Sequence, residues 1–182
     1  HTLSQALAEC GACVVSGLAY GVDCIAALGA LAAEDNPYPT VAVLGSGVDV
    51  VYPAANRDIY AQIIARGAVV SEFLPGTKAL PSNFPMRNRI ISGLSRGVLV
   101  VEAAAKSGTL ITVDCALEQG RDVFALPGRI TDPKSEGTNV LLREGHAKFT
   151  LSAEDVLEEY GGWRAVKAQT LSEPENLSLE QA

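Results

Sequence analysis

The sequence predicts an α/β fold: a doubly wound, mainly parallel sheet with helices on both faces. Two observations predict it. Five short apolar blocks, Cys13–Val15, Val41–Leu44, Ala68–Val70, Val98–Val101 and Val123–Leu126, recur at steady intervals along the chain. They are continuous rather than alternating and rich in Val, the pattern of strands covered on both faces. Between them lie stretches with helical spacing, marked by Ile59, Ile63 and Ile64, by Ile90, Ile91 and Leu94, and by Leu110, Val113 and Leu117. Strands that alternate with helices imply βαβ units, and these assemble into a Rossmann-like sheet.

Taken in order, the chain opens on Leu3, Ala6, Leu7 and Cys10 at helical spacing, and this helix feeds the first apolar block. A Rossmann-like unit starts on a strand, so a further first strand is expected upstream of His1. Residues 1–160 read as this core. From Gly161 to Ala182 the chain turns polar and acidic, with Ser172, Glu173, Pro174 and Glu175 reading as a linker.

Composition narrows the function. No run approaches the ~18 apolar residues of a membrane span, and no secretory signal pattern is visible. The four cysteines are expected as free, buried thiols of a cytoplasmic protein. Cys10 and Cys13 have the CxxC spacing, but His1 and His146 lie far from them, so no metal site is expected. The formal net charge of −7 is uneven. Residues 1–56 contain five acids and no Lys or Arg, and residues 152–182 carry seven acids against Arg164 and Lys167. Within the basic middle, residues 78–106 hold Lys78, Arg87, Arg89, Arg96 and Lys106 against Glu102 alone. This strip is either a solvated face or a localised anion site on an acidic protein.

In an open parallel sheet, ligands bind beyond the carboxyl ends of the strands. Four segments follow such ends. Ser16, Gly17 and Tyr20 belong to Ser16-Gly-Leu-Ala-Tyr-Gly-Val-Asp23. Gly45, Ser46 and Gly47 begin like a GxGxxG turn, but Val50 stands at the third glycine, so two simple turn glycines explain them as well. Lys106, Ser107 and Gly108 open a helix and present a cation, a hydroxyl and free N–H groups to an anion. Arg87, Asn88 and Arg89 follow a long loop from Phe73 to Met86, and their guanidinium forks match phosphate oxygens. Tyr20, Tyr52, Phe73 and Phe84 flank these loops, either as core anchors or as platforms for unpaired bases. Asp23 and Asp49 are expected to fix loop backbones through N–H groups. With two histidines, one at the terminus and one outside these loops, no catalytic triad is supplied and no enzyme activity or cofactor is expected.

These segments carry a resemblance. Ser16–Asp23, Val41-Ala-Val-Leu-Gly-Ser-Gly-Val-Asp-Val-Val-Tyr-Pro53, Phe84-Pro-Met-Arg-Asn-Arg-Ile-Ile-Ser-Gly-Leu-Ser95, Val101-Glu-Ala103 with Lys106-Ser-Gly-Thr-Leu-Ile-Thr112, and Gly120-Arg-Asp-Val-Phe-Ala-Leu-Pro-Gly128 together resemble the DprA/Smf DNA-processing family, in order and spacing. The resemblance implies a homodimer that binds single-stranded DNA, protects incoming strands and loads RecA during natural transformation. It implies DNA contacts at Arg87, Asn88, Arg89 and at Lys106-Ser107-Gly108. It also implies a Gly-Ser-Arg closing the expected upstream strand, and in some members a winged-helix domain after the core. Tyr20 stands where many members carry Arg, and Ala27-Leu28 where a His-Arg pair is common, which removes positive charge from the pocket. Gly137-Thr-Asn-Val-Leu-Leu-Arg-Glu-Gly145 is similar to the family's dimer and RecA region, with Leu142 and Arg143 as the interface residues.

A rival reading is a nucleotide-processing enzyme. Ser107-Gly108-Thr109-Leu110 resembles the phosphate loop of the LOG phosphoribohydrolases, but Ile111 and Thr112 stand where their carboxylate is expected.

Overall fold

A computed structural model of the chain describes residues 1–161. The expected tail and linker beyond residue 161 lie outside the described residues. Helix α1 (Thr2–Glu9) leads into β1 (Val14–Ser16), then α2 (Val22–Leu31), β2 (Thr40–Val43), α3 (Arg57–Arg66) and β3 (Ala68–Val70). A long loop follows, then α4 (Asn83–Leu94), β4 (Gly97–Val100), α5 (Gly108–Glu118), β5 (Asp122–Ala125), α6 (Glu136–Arg143), β6 (Lys148–Phe149) and α7 (Ala153–Glu158). All five predicted strands are present. The sixth, β6, is two exposed residues long and has no apolar run to announce it.

The strands form two parallel three-stranded sheets, β1-β2-β3 and β4-β5-β6. β1 pairs Val15 with Val41, β2 pairs Ala42 with Val69, and β4 pairs Leu99 with Phe124. Among the described residues no ladder joins β1 to β4, so each is a sheet edge. The middle strand β2 is largely buried, whereas β1 and β4 are half-buried along most of their length. The expectation of strands covered on both faces holds best for β2 and β5 and less for the edges.

Helices flank both sheets. Leu18, Ala27, Leu31, Ala42, Leu44 and Ile63 form one core cluster, which places α2 and α3 on one face of the first sheet. α4 contacts β1 and β2 without entering that cluster, so it lies on the opposite face. Val100, Val113, Ala116, Val123, Ala125 and Leu141 form the second core under α5 and α6. α4 also packs along α5, which ties the two halves together. No described helix is long and apolar enough to cross a membrane.

Local chemistry sets the element ends. Gly21 takes φ +85°, a conformation open to glycine, and so turns the chain into α2. Arg66 closes the other end of α2 by donating to the carbonyls of Leu31, Ala33, Glu34 and Asn36. Ser152 and Asp155 form a capping box at α7.

Two expectations need correction. The cysteines are not core residues: Cys13 is exposed, and Cys10, Cys24 and Cys115 are half-buried. Apolar spacing also overstates the buried helix faces, since Ile64, Leu94 and Leu117 are all exposed. Leu94 and Leu117 stand in the last turns of α4 and α5, and Ile64 lies beside the stripe that runs through Ile59 and Ile63.

Candidate functional site

The carboxyl ends of β1 and β2 carry two loops that are held from beneath. In the first, Gly17 and Ala19 donate backbone N–H groups to Asp23 Oδ2 at 3.0 and 3.1 Å. Leu18, fully buried, takes φ +55°, a region a branched side chain enters only when its surroundings hold it there. Asn56 does so, donating Nδ2 to the Leu18 carbonyl at 2.8 Å. Ser16 is buried, while Tyr20 points to solvent and is 69% exposed.

The second loop is covered by the long segment after β3. Gly47 N–H donates to the Thr77 carbonyl at 2.9 Å, and Ser71 Oγ donates to the Ser46 carbonyl at 2.7 Å. Asp49 accepts the Gly76 N–H through both oxygens, at 2.7 and 2.9 Å. Ser46 is 1% exposed and donates its own hydroxyl to the Val50 carbonyl. The loop-fixing roles expected of Asp23 and Asp49 are what the geometry shows. Gly45 must be glycine, because a Cβ there would lie 2.9 Å from the Phe84 ring.

Helix α4 begins at Asn83, so Arg87, Asn88 and Arg89 sit within the helix and face different ways. Arg87 is 4% exposed. Its Nη1 donates to the carbonyls of Gly17, at 2.8 Å, and Val43, and Phe84 lies 5.8 Å from the guanidinium carbon. Burial lowers its pKa from the ordinary value, and the charge of Asp23 pulls it back up. Asn88 Nδ2 donates to the Gly108 carbonyl at 3.5 Å. Arg89 turns outward, 58% exposed, and pairs with Glu72 at 2.5 Å.

The loop after β4 is different. Lys106 is exposed and has no ion-pair partner among the described residues. Ser107 caps α5, accepting the Thr109 N–H at 3.2 Å. A Cβ on Gly108 would meet nothing within 4 Å. Above the buried loops, Tyr52 and Phe84 pair with ring centroids 5.5 Å apart, and Lys78, Leu80 and Met86 are exposed nearby in sequence.

The candidate residues thus fall into two sets. Ser16, Gly17, Gly45, Ser46, Gly47 and Arg87 are buried framework, whereas Tyr20, Arg89, Lys106 and Gly108 face solvent, with Asn88 and Ser107 half-buried between them. Sequence reasoning missed Asn56 and Asn83; Asn83 Nδ2 donates to the Gly45 carbonyl at 2.9 Å. A buried Asn with a loop carbonyl as partner leaves no spacing signal. Leu142 packs on the second core and Arg143 pairs with Glu144, both at the end of α6. Since α6 returns from the end of β5 to the start of β6, they lie at the opposite end of the strands from the loops. Among the described residues no group of three or more His, Cys, Asp or Glu side chains could hold a metal ion.

The family model of DNA recombination-mediator protein A matches residues 1–161. The chain belongs to this family. DNA processing protein DprA of Streptococcus pneumoniae is 50% identical over 147 residues, which cover 81% of this chain and 51% of that protein. Protein Smf of Escherichia coli is 48% identical over 155 residues, covering 85% of this chain and 40% of that one. The chain therefore spans about half the length, or less, of these relatives. The structure resembles the X-ray structure of Streptococcus pneumoniae DprA, with a TM-score of 0.78 and 47% identity over 87% of this chain and 54% of that one. It also resembles Helicobacter pylori DNA processing protein A, described for its single-stranded DNA binding mode, with a TM-score of 0.77 and 32% identity over 87% of this chain and 70% of that one.

Proposed function

We propose that the chain is a single-stranded DNA-binding domain that serves strand protection and RecA loading in natural transformation, in the cytoplasm. The observation that carries the reading is the meeting of aromatic surface and cations at one end of the sheets. Tyr52 and Phe84 pair beside Gly45, while Lys78 is exposed on the segment before α4, Arg89 on α4 and Lys106 on the loop after β4. Aromatic faces stack unpaired bases and cations follow the phosphates, a combination that binds single strands with little sequence preference. The solved relative described for single-stranded DNA binding supports it. Pairing through Leu142 and Arg143 at the far end of the strands would make a homodimer and offer RecA a surface away from the DNA.

The test is an anisotropy titration of labelled oligo-dT and duplex DNA at several salt concentrations. Contacts by Lys78, Arg89 and Lys106 predict a log–log salt slope of about −2 for single strands. Salt-independent binding, or equal affinity for duplex, overturns the reading. Leu142→Asp or Arg143→Ala should lower the dimer fraction in sedimentation while leaving the monomer's DNA affinity in place.

A further inference from the structure

The inner face of α4 touches every loop that borders the proposed site. Asn83, Phe84, Arg87 and Asn88 stand at i, i+1, i+4 and i+5, so they share one side of the helix. Together they reach the loops after β1, β2 and β4 and the segment that leads into α4. Asn83 holds the Gly45 carbonyl and, at 3.4 Å, that of Lys78. Phe84 lies against Gly45. Arg87 holds the carbonyls of Gly17 and Val43. Asn88 reaches the carbonyl of Gly108 on the other half of the molecule.

Arg87 is the centre of this face. Gly17 and Val43 lie where β1 and β2 run out of partners and diverge into loops. One guanidinium nitrogen accepts no proton and donates to both carbonyls, so it fixes the distance between the two loops. The glycine at position 17 exists for this contact, since a Cβ there would overlap the guanidinium. A guanidinium 4% exposed and committed to two carbonyls does not face a ligand.

We infer that α4 is a bracket holding the three loops in one arrangement, and that Arg87 is a positioning residue for single-stranded DNA rather than a phosphate contact. The inference rests on the proposed function for the ligand but not for the bracket. Its chemistry is specific: a lysine at position 87 keeps the charge yet cannot copy a planar fork against two carbonyls.

The test compares R87K and R89A in the full chain, using amide hydrogen exchange and oligo-dT titration across salt. R87K should stay folded, with amides of β5 protected as in the parent. Exchange in residues 17–21 and 43–47 should quicken together. Affinity should fall about tenfold, the equivalent of one hydrogen bond to a charged group, with the salt slope unchanged. R89A should weaken binding and make the slope shallower by about 0.7, since it removes one phosphate contact. A slope change in R87K matching that of R89A makes Arg87 a direct contact and overturns the inference. Parent-like loop exchange and affinity in R87K overturn it also. If the parent binds no single-stranded DNA, the proposed function fails, and loop exchange alone decides for or against the bracket. Should R87K not fold, N83A carries the same comparison at residues 43–47: faster exchange with an unchanged slope supports the bracket, and parent-like exchange overturns it.

Discussion

The loops of the two halves are built on different principles. Those after β1 and β2 are buried over residues 16–18 and 43–47, where Asp23, Asn56, Asn83 and Arg87 each take one or more backbone groups. The loop after β4 is exposed from Val101 to Lys106 except at the buried Ala103, which is tied to Lys134 and Gly137, and it ends on an uncrowded Gly108 and a side-chain cap. Under the proposed function the contrast would separate two tasks: the first half would supply a fixed floor that needs little reorganisation on binding, and the second an open cation and helix start able to follow a flexible strand.

The sharpest way to break that contrast is to place the same methyl group in each half. Gly17→Ala drives a Cβ into the Arg87 guanidinium in a packed site, an overpacking that costs about 1–3 kcal/mol. Gly108→Ala meets open space at the first position of α5, and replacing glycine in a helix gains about 0.5–1 kcal/mol. Urea denaturation of the two variants should therefore move in opposite directions. Equal shifts would mean the halves are held alike.

Removing one hydrogen bond from each half gives the next largest difference. Asn56→Ala leaves the buried Leu18 carbonyl without its partner, at a cost of about 1–3 kcal/mol. It also removes one of the contacts that hold Leu18 at φ +55°. Ser107→Ala removes a solvent-accessible cap, which costs typically ~1 kcal/mol. Should Ser107→Ala cost more than Asn56→Ala, the first loop is not the more constrained.

How far this was legible in the sequence depends on the kind of signal. Val-rich runs gave five strands to within a residue or two, because continuous apolarity has few other uses. They could not show that β1 and β4 end as edges, since a half-buried edge strand uses the same Val residues as a covered one. Arg87 and Arg89 read as a pair of like phosphate ligands. Yet residues two apart on a helix point to different sides, and Arg87 lines up with the half-buried Ile90 and Ile91 at i+3 and i+4. That spacing would have assigned it to the inner face, had the start of α4 at Asn83 been visible. Pro85 and the polar loop before it hid that start. Asn56 and Asn83 carried no signal, because their partners are backbone atoms distant in sequence.

The smallest effect lies at the other end of the β4–β6 half, which Tyr160 closes as firmly as its carboxyl end is open. The Tyr160 ring packs edge-on against Phe124 at 6.2 Å and beneath the Arg96 guanidinium at 4.5 Å. Its hydroxyl is pushed up to about 12, by burial first and then by the charge of Asp122, with Glu159 adding and Arg96 opposing. A phenol in the unfolded chain ionises near pH ~10. The folded state thus holds its proton where the unfolded state releases it, so the Tyr160 contribution is complete below pH ~10 and is lost as pH rises toward about 12. Solvent reaching the ring screens this contribution and keeps it small. Lys148 is also raised, chiefly by its hydrogen bond to Glu159, and so also loses stability as pH climbs; the parent alone cannot assign the loss. Tyr160→Phe keeps Lys148 and the ring contacts while removing the titrating hydroxyl. The gap in urea midpoint between parent and Tyr160→Phe should therefore shift against the parent between pH 9 and pH 11, two values that bracket the ~10 of a free phenol. A gap that stays constant across that range would show that the closed end does not hold the Tyr160 proton.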